Sequence, residues 1–243
     1  MKKTFFSFRT SVPVFITALF AIGLLSACNK KDAVSTPIPA AAVMVFNLVP
    51  DKDGIGVTLS GNLLNSTPLG YTDFNGAYQN IYTGTRDIQS FDLRDSVLAS
   101  SSFSFEDNGY YSVFVTGNNG SYQNIAVKDD IDSNATADKA YIRYINAIPD
   151  STAPVVSITS GGTSVSQSSA PFSSVSGFVP VSAGDVTIAA SNGTDISTDR
   201  TLTLENGKVY TVLIVGVPGE TDNERKIQIR YVVNGSVPAA TPK

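Results

Sequence analysis

The chain has 243 residues, room for one large domain or two of ordinary size, and its 42% hydrophobic and 16% charged residues suit a buried core rather than a disordered tail. It has no histidine and a single cysteine, which excludes a Ser-His-Asp triad, a Cys-His dyad, imidazole metal sites, an internal disulfide and a thiolate zinc cluster. The formal net charge of −4 becomes −7 if the first 27 residues are removed, because they carry Lys2, Lys3 and Arg9 and no acid; so acidic a surface repels nucleic acid.

The N-terminus reads as an address. Lys2, Lys3 and Arg9 precede an apolar run from Val12 to Leu25, too short to span about 30 Å of hydrocarbon as a helix but suited to the core of a signal peptide. Leu25-Ser26-Ala27-Cys28 follows directly and resembles the lipobox of bacterial lipoproteins. That resemblance implies a signal peptide over 1–27, cleavage before Cys28, lipidation of its thiol and attachment to a membrane. Asn29 is not the aspartate that retains enteric lipoproteins at the inner membrane, so an outer-membrane location is expected, with the surface or periplasmic side left open. Residues 28–41, with Pro37 and Pro39 among small residues, read as a tether.

An internal repeat fills the remainder. Asn47-Leu48-Val49-Pro50-Asp51 matches Asn146-Ala147-Ile148-Pro149-Asp150, Phe103 to Glu106 matches Leu202 to Glu205, and Tyr111 to Gly117 matches Tyr210 to Gly216, each with an offset of 99. Gly84 and Gly184 differ by 100, so small insertions occur between these anchors. In chain order, Tyr110 to Val115, Val155 to Ile158, Thr187 to Ala190, Val209 to Val215 and the alternating Lys226 to Tyr231 read as strands. Asn108-Gly109 and Asn206-Gly207 read as the turns that precede two of them. The fold class expected is all-β: two tandem immunoglobulin-like antiparallel β-sandwich domains, at 42–130 and 139–236, after the signal peptide and tether. The intervening Lys128 to Lys139 reads as a polar, acidic linker.

An opening strand that ends in Asn-x-x-Pro-Asp, with a late Asn-Gly-x-x-Tyr-Thr-Val strand closing on Gly216, resembles the domain of unknown function 4397 (DUF4397). The first copy has Tyr111-Ser112-Val113 where the second has Tyr210-Thr211-Val212. The resemblance implies a β-sandwich in an envelope or secreted protein and brings no catalytic residues with it.

No Gly-x-Ser-x-Gly elbow, Ser-x-x-Lys dyad or phosphate-binding loop occurs. Asp51 and Asp53, two apart before Gly54, and the linker acids Asp129, Asp130 and Asp132 are candidate calcium ligands. Turn chemistry explains the first pair and a solvated linker the second, without a metal. Tyr111 and Tyr210 read as core residues with tethered hydroxyls. Tyr71, Tyr78 and Tyr82, in a Gly/Asn-rich stretch with Phe74, are candidate sugar contacts if exposed, although Phe172 and Phe178 in the second copy suggest shared packing. Asp95-Ser96-Val97 and Asp150-Ser151-Thr152 resemble Bacteroidota O-glycan acceptor triplets.

The function expected is a non-catalytic, lipid-anchored envelope protein acting as a spacer, adhesion or binding module. No cofactor is expected, and its partners would be the membrane and an envelope protein or glycan, not nucleic acid. A glycan-binding accessory protein is the alternative. A carboxylate-based glycoside hydrolase is a third reading, for which no pair of acids stands out.

Overall fold

Each copy repeats a simple rule: a strand with one apolar face packs on one partner, and a strand with two apolar faces needs two. The computed structural model describes residues 37–131 and 135–237, so Cys28 and Asp132 lie outside the described residues. The first copy contains β1 (Ala40–Leu48), β2 (Ile55–Leu59), β3 (Asn62–Leu63), β4 (Gln79–Tyr82), β5 (Gly84–Asp92), β6 (Val97–Phe105), β7 (Tyr110–Asn118) and β8 (Ser121–Lys128). The second contains β9 (Ala140–Asn146), β10 (Val155–Ser160), β11 (Thr163–Ser169), β12 (Val179–Val181), β13 (Gly184–Ser191), β14 (Ser197–Leu204), β15 (Lys208–Val215) and β16 (Gln228–Ser236).

The topology repeats strand for strand. Sheet orders β4-β1-β7-β8 and β3-β2-β5-β6 in the first copy become β12-β9-β15-β16 and β11-β10-β13-β14 in the second. Both copies are therefore β-sandwiches, as the strand pattern predicts. β1 opens at Ala40, two residues before the expected start of the first domain. Each sandwich also contains one parallel pair, β1 with β7 and β9 with β15, in an otherwise antiparallel arrangement. The reason is the route of the chain: it crosses from one sheet to the other between β6 and β7, so β7 re-enters beside β1 in the same direction.

β1, β7, β9 and β15 are almost wholly buried, and their side chains alternate between two cores. Val43, Val45 and Val113 face the core of the first sandwich, with Ile55 and Ile88. Ile142, Val212 and Ile214 face that of the second, with Ile158 and Ile188. The intervening residues Met44, Phe46, Leu48 and Phe114 meet Ile145, Leu213, Val215 and Val232 in a third core shared by both copies. The inner sheets thus pack face to face, giving four β layers and three cores. These strands read as continuous apolar runs because both of their faces are covered.

The repeated motifs have repeated work. Asn47 Nδ2 donates to the Leu69 carbonyl at 2.9 Å, and its Oδ1 accepts the Val49 N–H at 2.9 Å. Asn146 makes the same pair with Ala170 and Ile148, at 2.8 and 3.0 Å. The Tyr111 hydroxyl accepts the Glu106 N–H at 2.8 Å and the Tyr210 hydroxyl accepts that of Glu205 at 3.0 Å, so both tyrosines are the tethered core residues that their sequence positions suggest. Gly117, next to last in β7, and Gly216, just after β15, have φ +137° and +122°, and a Cβ on either would strike the backbone of the returning chain.

Register also fixes which ends lie together. The start of β1, the end of β8, the start of β9 and the end of β16 occupy one end of the stack, as the pairings Tyr111–Lys128 and Lys208–Ser236 require. Both Asn-x-x-Pro-Asp loops and both hairpin tips, at 93–96 and 192–196, occupy the other. Asn118 Nδ2 donates to Asp150 Oδ2 at 3.3 Å across the copies at this loop end, which shows that the two sandwiches point the same way.

Candidate functional site

A buried polar cluster lies within the shared core, built from one arginine in an otherwise apolar strand. Arg143 of β9 is 2% exposed, and removing its charge from water is tolerable only if every donor is met. Its Nη1 lies 2.6 Å from Asp129 Oδ1, a contact of charge rather than a well-aligned hydrogen bond. Its Nη2 donates to Ser112 Oγ at 2.7 Å and its Nε to Thr211 Oγ1 at 3.0 Å. The guanidinium also stands 4.4 Å from the centre of the Phe178 ring.

The network closes on itself. Thr211 donates to Asn234 Oδ1 at 2.7 Å, and Asn234 Nδ2 donates to the Tyr78 hydroxyl at 3.3 Å. Tyr78 in turn donates to Asp129 Oδ2, which also accepts from Ser112 at 2.8 Å. Tyr78, Ser112 and Asp129 belong to the first copy, Arg143, Thr211 and Asn234 to the second. Every link therefore ties one inner sheet to the other or braces such a tie. Toward the loop end, the Gly216 N–H donates to the Tyr71 hydroxyl at 2.8 Å, Arg230 Nη1 donates to Thr72 Oγ1 at 2.8 Å, and Thr116 and Ser173 share a hydroxyl contact at 2.8 Å.

This placement corrects two expectations. Asp129 is not part of a solvated linker or a free calcium ligand: its side chain is 4% exposed and its carboxylate is occupied by Arg143, Ser112 and Tyr78. Tyr71 and Tyr78 are not loop aromatics offered to a sugar, because both pack against the shared core. Only Tyr82 of the three stands exposed. Burial is the first cause of a raised pKa in both buried tyrosines. Tyr71 is pushed up to about 12, against a smaller opposing pull from the Gly216 N–H. Tyr78 is also pushed up, with the Asp129 charge adding to burial.

The remaining acids are dispersed. Asp51 Oδ2 accepts from the Tyr122 hydroxyl at 2.6 Å and the Asn119 N–H at 3.1 Å, which pins the loop after β1 to the β7–β8 hairpin. Asp53 and Asp130 are exposed, and Asp130 lies 3.5 Å from Lys128 Nζ. Among the described residues no three His, Cys, Asp or Glu side chains gather around a point that would hold a metal. Ser96 stands exposed on the β5–β6 hairpin, whereas Ser151 is tied to Asp195 at 2.9 Å.

Residues 41–159 and 140–240 each match the model of a family described as a domain of unknown function (DUF4397). The chain belongs to the DUF4397 family. No curated protein matches it. Among solved structures it is similar to the Bacillus anthracis TIE protein, with 13% identity, coverage of 74% of this chain and a TM-score of 0.26. It spans 34% of that protein's length. A candidate cell adhesion protein from Bacteroides ovatus ATCC 8483 is 10% identical over 81% of this chain and 98% of that one, with a TM-score of 0.24. Neither likeness carries an argument about what this DUF4397 chain does.

Sequence reasoning missed Arg143, Ser112, Thr211 and Asn234 as a unit. The signal was present in Ala-Tyr-Ile-Arg-Tyr-Ile-Asn, where a charge in the middle of a fully apolar strand demands a partner. Arg143→Met, which copies the repeat-equivalent Met44, leaves Asp129 buried and unpaired and should lower the unfolding free energy by about 3–5 kcal/mol in denaturant titrations. Adding Asp129→Asn should recover part of that loss; a neutral single substitution would contradict the network.

The raised tyrosine pKa values set a pH dependence. The unfolded chain releases these protons near pH 10 and the folded chain only above it, so their contribution is intact below about pH 10 and is lost as pH rises through the folded values. The urea midpoint should fall between about pH 10 and 12, and fall less steeply in a Tyr71→Phe/Tyr78→Phe double variant. An identical slope in the two proteins would show that these hydroxyls are not buried.

Proposed function

We propose that this DUF4397 chain is a non-catalytic, lipid-anchored envelope protein whose paired sandwiches act as one rigid binding or adhesion module. The observation that carries the reading is the common direction of the two copies. Ala40, where the body begins, lies at one end, and both Asn-x-x-Pro-Asp loops lie at the other. A tether joined at Ala40 and lipidated at Cys28 would hold the body by the end opposite the Asn-x-x-Pro-Asp loops. It would leave the loop end and the outer sheet faces available to partners. The shared core supports the rigid part of this reading, since a face-to-face apolar contact with a buried ion pair resists hinge motion between domains.

Loops positioned on a rigid β scaffold are a common means of recognition. The lack of histidine and the dispersed acids favour binding over catalysis. An anchor of several acyl chains, at about 0.8 kcal/mol per buried methylene, would outlast a single chain and suit a permanent envelope component. Membrane fractionation tests the anchor. The wild-type chain should sediment with membranes as a processed, lipid-modified product, and Cys28→Ala should be soluble and unprocessed. A Cys28→Ala product that stays membrane-bound at the wild-type mass would remove this reading.

A further inference from the structure

The outer face of the first sandwich differs from that of the second in a way the fold does not require. On β5, Gln89 and Phe91 point outward, between inward Ile88 and Ser90. Phe91 pairs with Gly56 on one side and Val97 on the other, and its half-buried ring lies over Gly56, where a Cβ would collide with it. One row along the same face, Gln89 pairs with Thr58 and Ser100. These two rows stand about 7 Å apart, the repeat of alternate residues on a strand. The row of Gln89 borders an open groove of about 480 Å³ lined by Thr58, Ser60, Asp87, Gln89 and Ser100.

The second copy provides an internal control. At the equivalent rows it has Val155, Ser191 and Ser197, then Ser157, Ala189 and Asp199. The same sheet is therefore built with Ser in place of Phe91 and Ala in place of Gln89. Leu93 and Val97, 58% and 56% exposed, extend the apolar strip around the ring. The polar groups beside it are largely unspent. Gln89 Nε2 reaches Ser100 Oγ only at 3.4 Å, and Thr58 Oγ1 reaches the Gln89 carbonyl only at 3.5 Å, both at the long limit of a hydrogen bond.

We propose that the outer face of β2, β5 and β6 is a binding site for a neutral glycan, with one sugar ring stacked on Phe91 and adjoining hydroxyls bonded by Gln89, Thr58 and Ser100. A flat aromatic face beside hydroxyl and amide groups matches the alternating apolar and polar surfaces of a pyranose. The site holds one carboxylate and no cation, and the chain is acidic overall, so an anionic glycan is disfavoured. A peptide cannot add as a strand to β2 or β5, whose backbones are already paired on both sides. The inference deepens the binding-module reading, naming the ligand class and the face that takes it.

The test is affinity electrophoresis of the detergent-solubilised full-length chain through native gels that contain, separately, a soluble β-glucan, a mannan and a xylan. The wild-type chain is retarded in at least one gel. Phe91→Ser, which copies residue 191, weakens the retardation about tenfold in apparent dissociation constant, and Gln89→Ala weakens it in the same gel. Tyr231→Ala, which removes an exposed ring of the second copy, leaves it unchanged. Circular dichroism melts show whether Phe91→Ser is folded, and if it is not, Gln89→Ala reads the same face. Migration unchanged in all three gels, the result expected of a peptide-binding or passive surface, overturns the proposal, as does retardation that survives both substitutions on β5, the result expected of a glycan site elsewhere on the chain. Electrophoresis reads binding and fractionation reads anchoring, so either can fail without the other.

Discussion

The face-to-face contact of the two inner sheets governs the rest of this molecule. Because β1, β7, β9 and β15 are covered on both faces, each must carry apolar side chains at consecutive positions, and most residues in them do. That contact would be a featureless apolar surface were it not for Arg143. A guanidinium buried between the sheets fixes their relative position, since a slide that separates it from Asp129 and Ser112 of the other copy leaves an unpaired charge in a low-dielectric core. The hydrogen-bonded ring through Asn234 and Tyr78 gives the remaining polar groups partners on the same terms.

Duplication supplies the frame and divergence supplies the chemistry. Where the second copy has Arg143, the first has Met44; where it has Thr211, the first has Ser112. Tyr78 and Phe178 occupy corresponding strand approaches, and both stand beside the guanidinium network, one as a donor to Asp129 and the other as a ring against Arg143. Two identical copies would both carry methionine here and leave Asp129 without a cation. The pair that locks the sheets exists because the copies differ. On the outer faces, the same divergence lays a Phe91 ring over Gly56 in one copy and leaves Ser191 beside Val155 in the other.

Much of the fold was legible in the sequence. The 99-residue offset foretold a duplicated sandwich, and the tethered hydroxyls of Tyr111 and Tyr210 followed from their repeat positions beside Asn-Gly turns. The contact between copies was not legible, because a run such as Tyr110 to Val115 looks the same whether its second face meets a helix, a sheet or another domain. Asp129 was concealed by composition: in an acidic linker it looks like its exposed neighbour Asp130, and only the position of Arg143 on a strand 14 residues later separates them. Tyr71 and Tyr78 misled for a related reason. A Gly/Asn-rich stretch suggests a surface loop, but here it runs along the inner sheet, and its rings fill the gap between copies. The seat of Phe91 on Gly56 was invisible too, since the two are 35 residues apart and meet only through strand pairing.

If the shared core makes the two copies one cooperative body, differential scanning calorimetry of the intact chain should show a single unfolding transition whose calorimetric and van't Hoff enthalpies agree. Two resolved transitions, each with the enthalpy of a domain of about 100 residues, would contradict that account and leave two sandwiches that merely touch.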